Sequence, residues 1–335
     1  MECGASFLHA VWENGKGKES GGIAERVCSS AVFMDGGIFY MSWLSWEQIC
    51  SIFPKRKRDS HKGTFGTLLC ITGSDNMPGA CALSTLAALR SGAGLVKVAT
   101  TRNNVSILAS QIYEAIYLPM QTNDIGGIIW ESNQDTLCTA IAQASAILLG
   151  CGLGDTAATQ QLVRETVRLA NCPIVIDADG LNALAVCIDI MQEQKENWIL
   201  TPHPGEMARL IHSSSSVVQA DRSACALHFC ETFSGTLVLK GAGTIVQQGT
   251  TKMQNPTGNP GMSRGGSGDV LAGMIASFAA QGISPYQAAC AGVYLHGLAG
   301  DLAAEQYSEQ AMLPRDVLQC LPQVFHRMEQ SAARQ

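Results

Sequence analysis

Charge is scarce in this 335-residue chain: 15% of the residues are Asp, Glu, Lys or Arg, and the formal net charge is −6. A nucleic acid or an anionic membrane surface is held by a clustered positive field, which this balance does not supply. The one basic run, Lys55-Arg56-Lys57-Arg58 beside Pro54, reads as a solvated connector in preference to a localisation signal or phosphate patch. Cysteine motifs are missing as well. The 13 cysteines form no C-x-x-C pair and no Cys/His cluster at zinc-ligand spacing. Apolar neighbours surround Cys70, Cys81, Cys151 and Cys187, which is the pattern of reduced core thiols in a cytoplasmic protein. No hydrophobic run of membrane length survives inspection. The stretch from Val270 to Gly300 carries no charged residue, but Gln281, Gly282, Ser284, Pro285, Gln287 and His296 interrupt it. It reads as two helices joined near Gly282-Ile283-Ser284-Pro285. The G-x-x-x-x-G-K-[ST] signature is absent, which excludes a P-loop enzyme. Residues 1–40 lack clear periodicity, include the polar run ENGKGKESGG, and show no basic start followed by an apolar signal-peptide run. They are expected to be a disordered extension, followed by a single domain over 41–335.

What is present is a chain with 46% hydrophobic residues, enough to bury a large core. From about residue 66, short apolar runs alternate with amphipathic stretches. TLLCITG (67–73), GLVKVAT (94–100), AILLG (146–150), PIVIDADG (173–180) and WILTP (198–202) have the strand signature. A helix is predicted from about Gly79 to Ser91, and TQQLVRETVRLA (159–170) patterns as another. TLVLKGAGTIVQQG (236–249) reads as two strands around Gly241-Ala242-Gly243, and the last hundred residues are largely helical. This alternation predicts an α/β domain with a mainly parallel central sheet and helices on both faces. Ligands in such sheets sit beyond the carboxyl ends of the strands. Chemistry is therefore expected at Gly73-Ser74-Asp75, Gly150 to Gly154, Asp177 to Asn182, Thr201 to Glu206 and Lys240 to Thr244.

The stretch NPTGNPGMSRGGSGDVLAG (255–273) places paired glycines and one carboxylate, Asp269, in front of an apolar helix. Glycines before a helix let successive backbone N–H groups converge, and the helix dipole adds positive potential there. Such a segment suits an anion. Asp269 has two readings: a base that takes a proton from a hydroxyl attacking a phosphoryl group, or a helix cap with the glycines serving close packing. G-C-G-L-G-D (150–155) does not keep the dinucleotide-fingerprint spacing and alone marks a tight strand-to-helix turn.

HKGTFGTLLCITGSDNMPGACALSTLAALRSGAGLVKVAT (61–100), LLGCGLG (148–154), VIDADGLNAL (175–184), LTPHPGEMARL (200–210), VLKGAGT (238–244) and NPTGNPGMSRGGSGDVLAGMI (255–275) occur in one order. Together they closely resemble the ADP-dependent NAD(P)H-hydrate dehydratase family of the ribokinase-like superfamily, from about residue 50 to about residue 320. The resemblance implies repair of the S form of hydrated NADH or NADPH, with ADP as co-substrate, Mg²⁺ as cofactor, and AMP and phosphate released. It also implies residue roles. Asp269 matches the base position. Gly265, Gly266, Ser267 and Gly268 match the anion hole, with Ser267 in place of the commoner threonine. Lys240, Gly241, Ala242, Gly243 and Thr244, with Gly268, match nucleotide-binding positions. Ala80, Gly152, Gly154 and His203 match the hydrate pocket. Glu206 either helps organise Mg²⁺ through water or simply favours a helix N-terminus. Asp177 and Asp179 either orient substrate or a metal-bound water, or Asp179 caps a turn. Arg264 either reaches a nucleotide phosphate or points to solvent. The family likeness further implies a homo-oligomer, a tetramer, working with a separate NAD(P)H-hydrate epimerase, since the chain leaves no room for a fused epimerase domain. A hydroxymethylpyrimidine phosphate or hydroxyethylthiazole kinase of the same superfamily is the alternative; TPHPGE and GNPGM favour the dehydratase.

Overall fold

A computed structural model describes residues 30–34, 37–187, 190 and 196–332. The strands are β1 (Ser30–Met34), β2 (Gly37–Trp43), β3 (Thr67–Ile71), β4 (Leu95–Thr101), β5 (Ile116–Met120), β6 (Ala146–Leu149), β7 (Ile174–Ile176), β8 (Trp198–Leu200), β9 (Thr236–Leu239), β10 (Ile245–Gln248) and β11 (Thr251–Gln254). They form one sheet in the order β1-β2-β11-β10-β9-β8-β7-β6-β3-β4-β5. From β9 across to β5 every pairing is parallel, with Leu68 opposite both Val96 and Ala146, and Ile176 opposite Leu200. The pairs β9–β10, β10–β11 and β1–β2 are antiparallel, and β2 runs parallel to β11. The expected boundary at residue 40 falls inside β2, and residues 1–29 of the expected extension lie outside the described residues.

The chain moves outward from β3 to β4 and β5, then returns and builds β6 to β9 on the other side of β3. The sheet therefore has its switch point between β3 and β6, where the loops leaving the two strands part and open a crevice. Both strands are buried on both faces, which explains their unbroken apolar runs. One hydrophobic layer lies on each side of the sheet. Leu68, Cys70, Val96 and Leu148 face one layer; Leu69, Ile71, Ile147 and Leu149 face the other.

Helices α1 (Trp46–Ile52), α2 (Pro78–Arg90), α3 (Arg102–Leu108), α4 (Trp130–Ala142), α5 (Ala157–Leu169) and α6 (Asp179–Val186) are followed by α7 (Pro204–Leu210), α8 (Ser215–Ala220) and α9 (Arg222–Thr232). The last three are α10 (Ser267–Ala280), α11 (Pro285–Tyr307) and α12 (Pro314–Ala332). Helix α10 is buried from Val270 to Ala280, and for that reason its sequence carries no charge after Asp269. It packs closely on α2: Ser277 Oγ donates to Ala88 O at 2.9 Å and accepts from the Ala93 amide at 3.0 Å. The two expected helices on either side of Gly282 are α10 and α11, and no described helix is long and apolar enough to cross a membrane. The basic run is exposed. Within it Arg56 is anchored, stacking 4.0 Å above Phe65 and donating to Gly92 O at 3.0 Å. The described cysteines are free, and Cys70, Cys81, Cys151 and Cys187 are buried.

Candidate active site

The carboxyl ends of β6, β7 and β9 and the amino end of α10 meet at one place. Asp177, directly after β7, is buried. Its Oδ1 accepts from Lys240 Nζ at 2.7 Å and from Thr201 Oγ1 at 2.8 Å. Lys240, directly after β9, also lies 3.7 Å from Glu206 Oε2. One ammonium, at the end of β9, thus neutralises two carboxylates that follow β7 and β8. Burial opposes its charge, but Asp177 and Glu206 outweigh that effect and raise its pKa.

Helix α10 begins with Gly266 as its N-cap at φ 100, a left-handed backbone that an L side chain strains to adopt. No side chain caps this helix end, so Asp269 does not serve as the N-cap. A methyl group at Gly268 would lie 3.2 Å from Lys240 Nζ and 3.6 Å from Asp177 Oδ2. The helix N-terminus, with its positive potential, is therefore presented to this ion pair. Asp269 is half-buried in the first turn. Burial first, and then the neighbouring Asp177, raise its carboxyl from 3.8 to about 6, while a hydrogen bond with Cys151 and the charge of Lys240 pull it down. The Cys151 thiol, fully buried and raised far above its ordinary range mainly by that burial, stays protonated. One ligand atom each from Cys151, Asp177 and Asp269 lie within 4.8 Å of one another.

His203 and Glu206 open α7 as a reciprocal cap. His203 Nδ1 accepts from the amides of Gly205 and Glu206 at 2.9 and 3.3 Å, and Glu206 Oε2 accepts from the His203 amide at 2.8 Å. Glu206 thus fulfils the helix-terminus reading directly. It remains a hard oxygen donor beside Lys240, its carboxyl raised to about 6 chiefly by burial. His203 is pulled the other way, its pKa lowered by burial and by Lys240 and Arg209. Its side chain is 52% exposed, so the ring is open to a ligand at the rim.

The 150–154 turn lies at the switch point. Gly152 has φ 66, and a methyl group there would meet Ala80 Cβ at 2.7 Å; the two expected pocket residues are thus adjacent. The Gly154 amide donates to Asp179 Oδ2 at 2.8 Å. Asp179, in the first turn of α6, therefore fixes the neighbouring turn, and Ala178 is the N-cap. The Gly241-Ala242-Gly243-Thr244 loop is gripped from α9 by a residue the sequence did not single out. Arg222 donates to Lys240 O at 3.2 Å, to Gly243 O at 3.1 Å and also to Ala242 O. No short motif marks Arg222, because it lies 18 residues before Lys240 and acts through main-chain carbonyls. His296 on α11 was also missed. It is buried, its Nε2 has no hydrogen-bond partner, and burial with Lys240 nearby lowers its pKa to about 4, keeping the ring neutral. Arg264 is exposed, and its guanidinium donates to Gln310 O.

The fold is that of the ribokinase-like superfamily: a solved ribokinase-like protein of Enterococcus faecalis superposes with a TM-score of 0.77 at 30% identity, covering 89% of this chain and 99% of that one. The profile of the family described as NAD(P)H-hydrate dehydratase matches residues 68–323, and the chain belongs to that family. The chain is 40% identical over 281 residues to a bifunctional NAD(P)H-hydrate repair enzyme of Moorella thermoacetica, covering 84% of this chain and 53% of that protein. It is 38% identical over 258 residues to an ADP-dependent (S)-NAD(P)H-hydrate dehydratase of Neisseria meningitidis serogroup B, covering 76% and 82%. Among solved structures, the ADP/ATP-dependent NAD(P)H-hydrate dehydratase of Bacillus subtilis, co-crystallised with ATP/Mg²⁺, superposes with a TM-score of 0.74 at 31% identity. That match covers 86% of this chain and 99% of the Bacillus chain. The chain spans about half the length of the bifunctional relatives it matches.

Proposed function

We propose that this chain dehydrates the S form of hydrated NADH or NADPH at the expense of ADP, releasing the restored cofactor, AMP and phosphate. The observation that carries the reading is Asp269: a carboxyl raised to about 6, set in the first turn of a helix that no side chain caps and whose Gly268 lies beside Lys240. Hydroxide is a poor leaving group and phosphate a good one. The ring hydroxyl attacks the β-phosphorus of ADP, its proton passes to Asp269, and the bond from that phosphorus to the AMP oxygen breaks. The ring nitrogen's lone pair then expels phosphate, and the adjacent ring carbon gives up a proton to restore the double bond.

The amides of Gly265, Gly266, Ser267 and Gly268 stabilise the transferring phosphoryl group, with Lys240 supplying charge beside it. The Lys240 to Thr244 loop holds the AMP portion, and Ala80, Gly152, Gly154 and His203 line the hydrate pocket. The hard oxygen donors of the crevice, Asp177, Asp269 and Glu206, fit Mg²⁺. Glu206 and Asp177 would hold it through water, where it neutralises diphosphate charge. The bifunctional name of the Moorella relative supports an epimerase acting alongside, and the family likeness supports a cytoplasmic tetramer. The test is Asp269→Ala. Calorimetry should show ADP binding within a few-fold of the parent while turnover falls by at least about 10²-fold; near-normal turnover refutes the assignment.

A further inference from the structure

The segment between the proposed AMP loop and the proposed anion hole, Asn255 to Met262, carries no role in the reaction described above, yet it is tethered along its length. Its alternate residues turn inward. Asn255 Nδ2 donates to Val293 O at 3.0 Å, and Thr257 Oγ1 donates to Tyr294 O at 2.8 Å. Asp301 closes the series. Its Oδ2 accepts the Gly258 amide at 3.0 Å, and its Oδ1 accepts Asn259 Nδ2 at 3.0 Å. Asn259 passes the constraint on, since its Oδ1 accepts the Gly261 amide at 3.0 Å and caps the 3₁₀ turn Pro260–Met262. The residues between, Pro256, Gly258 and Pro260, are exposed on the outer side.

The ends of this strap are fixed to the two halves of the proposed nucleotide site. At one end the Asn255 amide donates to Thr244 O at 2.9 Å, tying it to the AMP loop. At the other, Arg264 holds Gln310 O, and Gly266 lies under Leu83 and Pro314 at the start of α10. The strap thus connects the loop proposed to hold AMP with the glycine segment proposed to hold the phosphoryl unit. A ligand bound at both ends is sensitive to their separation, because misplacement by about 1 Å costs about 10²-fold in a positioned reaction.

We propose that Asp301, through Gly258 and Asn259, is a positioning residue that sets the spacing of the two ends of the nucleoside diphosphate site. It touches no ligand itself. The inference rests on the proposed nucleotide site and deepens it, and it concerns the nucleotide, not the hydrate. Asp301→Asn loses the match to Asn259, since two amide nitrogens would then face one another if the Gly258 amide is still satisfied. The paired exchange Asp301→Asn with Asn259→Asp restores the bond between the two side chains with donor and acceptor reversed, while residue 301 still accepts the Gly258 amide.

The experiment measures ADP binding by calorimetry, and kcat and KM for ADP and for the hydrate separately, in the parent, Asp301→Asn, Asn259→Asp and the exchange. The expected result is that each single substitution raises Kd and KM for ADP by roughly tenfold and lowers kcat, leaves KM for the hydrate within twofold, and is reversed by the exchange. If a single variant does not fold, the exchange and the remaining single variant still decide the matter. Single variants with unchanged ADP parameters overturn the proposal, as does a loss shared equally by ADP and hydrate or an exchange that fails to restore ADP binding. A parent protein that binds no ADP overturns instead the nucleotide reading on which the proposal stands.

Discussion

Replacing Asp269 by asparagine should make the protein more stable at neutral pH while removing its activity. The carboxyl is raised by folding from 3.8 to about 6, chiefly by burial and then by Asp177. A raised folded pKa means that the native state holds the proton more tightly than the unfolded chain does. Between about pH 4 and pH 6 the native state therefore binds more protons, and stability falls as the pH climbs through that window. Below it both states are protonated and the penalty disappears. Above it the penalty is complete, and at about 1.4 kcal/mol per pH unit it amounts to about 3 kcal/mol. Asparagine keeps the shape without the charge, so Asp269→Asn should gain about 3 kcal/mol at pH 7.5 but only about 1 kcal/mol at pH 4.5. Urea denaturation of parent and variant at the two pH values measures both numbers. Equal gains at the two pH values, or a loss at pH 7.5, would show that the carboxylate is comfortably ionised and would refute the reasoning. With Asp269 as the proposed base, the acid limb of kcat/KM should fall near pH 6, because only the ionised form accepts a proton.

Lys240→Met should cost about 3 kcal/mol at pH 8, because Asp177 and Glu206 are left in a buried site without their cation, and less at pH 5, where Glu206 protonates; denaturation at the two pH values checks this. Arg222→Ala removes the donor that holds the carbonyls of Lys240, Ala242 and Gly243, and should weaken ADP binding by roughly tenfold in calorimetry while leaving the melting temperature within a few degrees. Gly266→Ala forces a side chain into φ 100 with Leu83 Cδ1 at 2.7 Å from the new methyl, and should cost about 1–3 kcal/mol, read as a lower urea midpoint.

The crossover pattern made the parallel core of the sheet legible, since apolar runs such as Thr67–Ile71 and Ala146–Leu149 have no other home than a strand covered on both faces. Two other strands were not. Ile116–Met120, at the sheet edge, contains Pro119 and is partly exposed, and Thr251–Gln254, between β10 and β2, is short and polar, so neither carries the buried-strand pattern. The glycine-led start of α10 was read in advance because local backbone geometry dictates it. The Lys240–Asp177 pair was not, because its members are 63 residues apart and meet only when β7 and β9 lie on either side of β8. Asp179 and Arg264 were left with open readings for a related reason. Their partners, the Gly154 amide and Gln310 O, are main-chain groups, which leave no signature in a sequence.

The measurement that tests the central claim most directly follows the reduced-nicotinamide absorbance when the protein is given the S form of hydrated NADH with ADP and Mg²⁺. The account predicts that the absorbance returns, with one AMP and one phosphate formed for each cofactor restored. Consumption of the nucleotide without that return, and accumulation of a phosphorylated alcohol, would contradict it and identify the site as that of a kinase.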